Sequence, residues 1–269
     1  MRWNEITSLE FEEGVKKCEG VCLLSLGVIE RHGDHLPMGI DYMKAYDFAD
    51  MASKLEPAIV FPPFYIGSVT AAAFEPGTFA LDIPLFLKVL DATCAEIARN
   101  GLKKIILVNA HGGNIVPIQT FLKMQLDSRR DYVVYQCSHS FGPKAAAAKG
   151  RLYKETGTDP MKEHGGAYET AVGLYLYPEM TKMDKILPPE AGADNPRLTN
   201  VLGLDVTTPI DWNAKHLVHL SGYGGDSTVE HGKEICKCIA EDIAETIRKV
   251  KKDNLSLALM KEFFDKANK

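Results

Sequence analysis

The sequence predicts an α/β fold in three layers, α/β/α, with a mostly parallel central sheet covered by helices on both faces. Three observations carry this. Apolar strand-like runs alternate with amphipathic helix-like segments along the chain. Two runs, Val21 to Leu26 and Lys103 to Val108, are apolar enough to be buried on both faces, as parallel strands are. Polar, histidine-bearing stretches stand between strand and helix, where open α/β sheets carry their sites. Crossovers are expected to be right-handed. At 269 residues, the chain reads as a single domain over 1–269.

Thr7-Ser8-Leu9-Glu10 has the form of a capping box and opens a first helix ending near Lys17. Glu19-Gly20 breaks it. A strand over 21–26, a polar loop and a helix over 42–55 follow. Ala58 to Phe61 is a short strand stopped by Pro62-Pro63. Residues 62–83 form a connection long enough to suggest a functional role. Pro84 suits a first helical turn, and Gly101 closes that helix after Asn100. A third strand over 103–108 leads to a glycine-rich turn and a helix over 115–128. A fourth strand spans 131–137. Residues 138–163 are mixed, with a helical piece over 144–154. His164 to Thr170 opens a helix that ends before Pro178. Residues 181–215, rich in Pro, Gly and Asn, read as an irregular excursion, suited to a subunit contact. His216 to Leu220 is expected to be a last strand. A long helix over 227–252 and a short amphipathic one over 255–264 complete the chain. No internal repeat or low-complexity segment is visible.

Composition narrows the function. Hydrophobic content of 45% and charged content of 25% are those of a globular protein with a sizeable core. The net charge is −5 and no long basic run occurs, which argues against nucleic acid as a partner. Residues 1–20 lack the apolar core of a signal peptide, and no run is long enough to span a membrane. Six scattered cysteines fit free thiols in a reducing cytoplasm better than disulfides.

The chemistry concentrates in Glu30-Arg31-His32-Gly33-Asp34-His35-Leu36-Pro37-Met38-Gly39-Ile40-Asp41. Glu30 and His32 are two apart, so an extended backbone points both side chains the same way. Imidazole and carboxylate together suit zinc or manganese. Solvated charges on a loop account for one or two such residues, but not for a cluster at a strand end. His111 stands at the end of another buried strand, within Asn109-Ala110-His111-Gly112-Gly113-Asn114. Gly112 and Gly113 allow backbone to approach a ligand closely. A tight turn with a capping asparagine is the plainer alternative. His164 and Glu169 repeat the theme at a loop-to-helix junction. There the helix dipole favours a carboxylate whether or not it binds a metal.

Together these stretches resemble the creatininase (creatinine amidohydrolase) family. Its Glu-x-His-Gly-x-His-Leu-Pro motif with a following Asp stands here as Glu30 to Pro37 with Asp41. Its Asn-Gly-His-Gly-Gly-Asn stands as Asn109 to Asn114, and its His-Ala-Gly-x-x-Glu-Thr as His164 to Thr170. Pro76-Gly77-Thr78 and Gly225-Asp226 match further elements, so the resemblance spans about residues 20–250 in order. It implies a creatininase-like fold and a binuclear site for two divalent ions, zinc or manganese, with iron also compatible. It implies Glu30, His32, Asp41, His111 and Glu169 as ligands, with Asp41 as the bridge, and His164 as the proton shuttle. His35, Gly112 and Gly113 are assigned to substrate contact. Pocket walls are expected from residues 62–83 and 138–163. The family's hexamers imply a homo-oligomer.

The sequence also departs from that family. Creatinine-hydrolysing members carry an aromatic and an acidic residue after the second-motif histidine. Here Gly112 and Gly113 stand there, so the acidic duty falls on Glu169. Those members also enclose the substrate with tryptophans, whereas Trp3 and Trp212 lie outside the motifs. Ala71 to Phe74 stand where a histidine is common. The expectation is therefore a cytoplasmic metal-dependent amidohydrolase acting on a cyclic amide or related C–N bond of a small polar molecule, with creatinine disfavoured. The alternatives are a deformylase of a formylamino-pyrimidine, a peptidase-like member, and a non-catalytic metal- or nucleotide-binding module on the same scaffold.

Overall fold

In the computed structural model, which describes residues 1–138, 140–197 and 207–267, four parallel strands lie in the order β2-β1-β3-β4. They are β1 (Val21–Leu26), β2 (Ile59–Val60), β3 (Lys104–Asn109) and β4 (Val133–Gln136). The helices are α1 (Ser8–Lys17), α2 (Ile40–Leu55), α3 (Ile83–Arg99), α4 (Ile115–Met124), α5 (Pro143–Thr156), α6 (Ala167–Leu176), α7 (Asp211–Lys215), α8 (Val229–Lys252) and α9 (Ser256–Ala267).

Strand alternation creates the three layers, because successive side chains point to opposite faces. Val21 and Leu23 of β1, with Ile106 and Val108 of β3, pack against Phe48 of α2, Ala145 of α5, Ala171 of α6 and Ile239 of α8. Cys22, Leu24 and Leu26, with Ile105 and Leu107, pack against Leu90 of α3 and Phe121 of α4. The three-layer, all-parallel arrangement is thus the one the buried apolar runs require. Caps set several helix starts. Thr7 and Glu10 form the expected capping box, and Asp82 accepts from the Leu85 amide at 2.8 Å ahead of Pro84.

The register places the chemistry. Val21 lies opposite Lys104 and Leu26 opposite Asn109, so β1 and β3 end level with each other. The loops that follow them leave the same edge.

Several expectations differ from the structure. The second helix begins at Ile40 rather than 42, which puts Asp41 in its first turn, at the end of the dipole that favours an anion. Residues 216–220 form no strand. His219 adopts a left-handed backbone (φ 52°), and the residue after the segment, Ser221, makes only an isolated antiparallel bridge with His164. Within 181–215, short turns of 3-10 helix (Met183–Lys185 and Pro189–Gly192) and α7 interrupt the irregular reading. Residues 198–206 of that stretch lie outside the described residues.

Helix α6 is held against α8 at Gly232, where a Cβ would come within 2.0 Å of the Ala171 carbonyl oxygen. Glycine in a helix interior ordinarily costs about 1 kcal/mol relative to alanine, so the close approach explains its presence. Gly232→Ala is expected to destabilise the protein by about 1–3 kcal/mol, the usual cost of overpacking. A urea-unfolding midpoint checks this; an unchanged or raised midpoint would show that α6 and α8 can separate freely.

Candidate metal centre

Glu30 and His32 follow β1, and His111 follows β3. Asp41 lies in the first turn of α2 and Glu169 in the first turn of α6. All five side chains are buried, and the fold brings them to one place. Backbone carbonyls orient the two imidazoles. His32 Nδ1 lies 3.1 Å from the Glu30 carbonyl oxygen, and His111 Nε2 lies 2.9 Å from that of Ser68. A carbonyl only accepts, so these nitrogens carry the ring hydrogens and the opposite nitrogens keep lone pairs. The lone pairs face carboxylates. His32 Nε2 is 3.3 Å from Asp41 Oδ1 and 3.5 Å from Glu169 Oε2. His111 Nδ1 is 2.8 Å from Asp41 Oδ2 and 3.3 Å from Glu30 Oε2.

A lone pair against a carboxylate oxygen is repulsive unless a cation lies between them or the ring takes a second proton. The centre's demand for positive charge is visible in its titration. Burial opposes charging His32 and His111, yet the carboxylates outweigh it, led by Glu169 for one and Glu30 for the other, and raise them to about 10 and about 9. Burial likewise opposes ionising Glu30, but His111 and His164 bring it down to about 2. Against the same opposition, Lys44 and His32 hold Asp41 and Glu169 below the ordinary carboxylate range.

Two triads have ligand atoms within 4.8 Å of one another: Glu30–Asp41–His111 and His32–Asp41–Glu169. Asp41 belongs to both. A third group, Glu30–His32–His164, overlaps them. Glu30 Oε2 and Asp41 Oδ2 are buried without a hydrogen-bond partner, which a buried carboxylate tolerates poorly unless a cation or water completes it. Nitrogen and oxygen donors of this kind fit zinc, manganese or iron.

Other residues hold these groups in place, and most of them carry little signal in the sequence. Trp212 Nε1 donates to His219 Nδ1 at 2.9 Å, which fixes the hydrogen on Nε2, and that nitrogen donates to Glu30 Oε1 at 2.7 Å. The relay leaves Oε2 free. A lone histidine and a tryptophan outside the motifs carried no signal for this. Lys44 donates to Asp41 Oδ1 at 2.7 Å and to Glu169 Oε1. Lys44 follows Asp41 by three residues, a spacing that becomes a helical contact only because the helix starts at Ile40 rather than 42. A Cβ at Gly113 would meet both His111 Nε2 and the Ser68 carbonyl at 2.5 Å, so a side chain there is incompatible with the bond that orients His111.

His164 stands half-buried beside the cluster, its ring 4.2 Å from that of His32. Its Nε2 donates to the Arg31 carbonyl at 2.8 Å, leaving Nδ1 as an acceptor. Burial, with the charge of His32, pushes it down to about 4, so the ring is neutral near pH 7. A cavity of about 800 Å³ opens onto His164 and the cluster, and Gly112 and Gly113 line it. Its walls come from both expected segments, including Ser68 to Ala71, Lys149 and Glu163. Trp212 also lines it, although no motif contains that residue. His35 is not on the wall. It is buried, with Nε2 2.9 Å from Thr170 Oγ1, because Gly33 (φ 67°) breaks the extended alternation and turns the chain away.

Comparison with known proteins shows the family. The creatininase family model, described as creatinine amidohydrolase, matches residues 4–247. Creatinine amidohydrolase of Pseudomonas putida is 28% identical over 193 residues, covering 68% of this chain and 74% of that protein. The mycofactocin precursor peptide peptidase of Mycolicibacterium smegmatis is 26% identical over 171 residues, 61% of each chain. A manganese creatininase structure superposes with a TM-score of 0.77 at 24% identity, covering 94% of this chain and 99% of that one. A putative creatinine amidohydrolase from Bacteroides fragilis does so with a TM-score of 0.74 at 20% identity, covering 88% and 91%. The match runs over nearly the whole length, and the chain belongs to the creatininase family of metal-dependent amidohydrolases.

Proposed function

We propose that this chain hydrolyses an amide-type, non-peptide C–N bond of a small polar molecule at two divalent metal positions that share Asp41. The observation that carries the reading is the pair of triads meeting at Asp41, with two buried carboxylate oxygens left without partners. Glu30, Asp41 and His111 are the ligands of one position, and His32, Asp41 and Glu169 those of the other. Zinc or manganese, when bound, lowers the pKa of water and polarises a carbonyl. The chain supplies the rest. The carbonyls of Glu30 and Ser68 aim the imidazole lone pairs, and His219 holds Glu30. His164, neutral and open to the cavity, takes a proton at Nδ1 and returns it to the departing amine, whose release requires protonation. A Cβ at Gly112 would meet nothing within 4 Å, whereas Gly113 packs against His111 and Ser68; two glycines there, in place of an aromatic and an acidic side chain, argue for a substrate other than creatinine.

The far wall suits a polar substrate. The Lys149 ammonium lies 3.9 Å from the centroid of the Tyr168 ring. Glu163 Oε1 is buried without a partner. These two groups contact the part of the substrate away from the scissile bond. Hydrolysis of a peptide bond is the second reading, favoured by the similarity to the mycofactocin precursor peptidase. Formamide cleavage remains within the same chemistry, and His164 on the cavity wall separates all of these from a pure binding module. We place the enzyme in the cytoplasm as a homo-oligomer. All six cysteines are free, and among the described residues no helix is long and apolar enough to cross a membrane.

Metal-reconstituted protein assayed against cyclic amides, formamides and short peptides tests the reading; metal-loaded protein inert to all three classes would favour the binding module. Asp41→Ala is expected to lower metal content at both positions, and loss of one ion alone would show that Asp41 does not bridge. Glu169→Gln should weaken metal binding. His164→Ala should keep its metal while turnover falls about 100- to 10,000-fold, the span of a general acid–base group; full turnover with metal in place would contradict the shuttle. Lys149→Met should raise KM about tenfold or more, the scale of one lost charged hydrogen bond, with metal content unchanged. An unaltered KM would remove Lys149 from the substrate.

A further inference from the structure

Lys44 is wholly buried, and its environment differs between the two triads. It follows Asp41 by three residues, so the α2 helix sets the ammonium beside that carboxylate. It donates to Asp41 Oδ1 at 2.7 Å and to Glu169 Oε1. Both carboxylates serve the His32 triad, and Glu169 Oε2 also accepts from the Gly165 amide at 2.8 Å. The acceptors of that position are therefore already engaged by donors of this chain. The other position is open. Glu30 Oε2 and Asp41 Oδ2, which face His111, have no hydrogen-bond partner.

Charge makes the same distinction. Glu30, Asp41 and Glu169 are three buried carboxylates. One divalent ion and the Lys44 ammonium balance them. A second divalent ion leaves the buried cluster with excess positive charge, next to an ammonium that cannot move into water, and uncompensated charge in such a place is strongly disfavoured.

We propose that Lys44 makes the two metal positions unequal: Glu30, Asp41 and His111 retain one ion firmly, while Lys44 keeps the His32–Asp41–Glu169 position to weak, exchangeable binding. The inference rests on the two-position reading above. Lys44 acts as a positioning residue, a resident cation that orients Asp41 and Glu169 and supplies fixed charge at the second position.

Metal content and affinity test this without reference to turnover. Protein stripped with chelator, reloaded with zinc and passed through metal-free gel filtration is expected to keep one ion per chain. Calorimetric titration is expected to show a second ion bound at least about 100-fold more weakly. In Lys44→Met the second ion should survive gel filtration, with the gap between the two affinities reduced to about tenfold or less. Lys44→Gln keeps a donor to the carboxylates without the charge. It should close the gap in the same way, and it carries the comparison should the stripped Lys44→Met chain fail to fold. A purely structural lysine would alter stability or both affinities together, not the gap. Two ions retained with similar affinity by the parent, or an unchanged gap in Lys44→Gln, would overturn the inference while leaving the two-position reading intact. A parent that binds no ion at all would overturn that reading as well.

Discussion

Three carboxylates lie buried in one cluster at the carboxyl edge of the sheet, and withdrawing them from water is costly unless each is paired. Much of the surrounding structure answers that cost. Asp41 sits in the first turn of α2 and Glu169 in the first turn of α6, where helix dipoles favour negative charge. Lys44 and the Gly165 amide take some of their oxygens, and His219, fixed by Trp212, takes one from Glu30. What remains are two unpartnered oxygens and two imidazole lone pairs, all facing inward. A site that pairs most of its negative charge and leaves these donors convergent is built to receive a cation.

The sheet makes this convergence possible. Because β1 and β3 end in register, the loops carrying Glu30 and His111 leave from neighbouring points. The long connection between β2 and α3 closes over them. Its Ser68 carbonyl orients His111, and its Glu75 accepts from Arg31 at 3.0 Å, tying the connection to the first loop. Helix α8 fixes α6, and with it Glu169, through the close approach at Gly232. Motion in any of these supports would move a ligand atom, so the centre's precision belongs to packing as much as to its own residues.

The sequence revealed the parts whose physical signature is local. Doubly buried strands, capping residues and polar clusters at strand ends are patterns of neighbouring residues, and the parallel sheet and the three histidine-bearing stretches follow from them, while the set of five candidate ligands came from the family resemblance those stretches carry. The parts it concealed depend on distant partners. Lys44 reads as one more charge on an amphipathic helix until α6 brings Glu169 against it. His219 looked like part of a strand, yet its left-handed backbone serves a contact 189 residues away in sequence, with Glu30. His35 shares a motif with His32, but the turn at Gly33 sends the two rings to different places, one to the cluster and one to Thr170.

The central claim is that the inward-facing donors form a metal centre anchored on Asp41. Anomalous diffraction from crystals of zinc-reconstituted protein, recorded on either side of the zinc absorption edge, examines it most directly. The strongest peak is expected at about 2.0–2.2 Å from the facing atoms of Glu30, Asp41 and His111, the ordinary zinc distance to nitrogen and oxygen. A strongest peak away from Asp41, or no peak in the cluster at all, would contradict it.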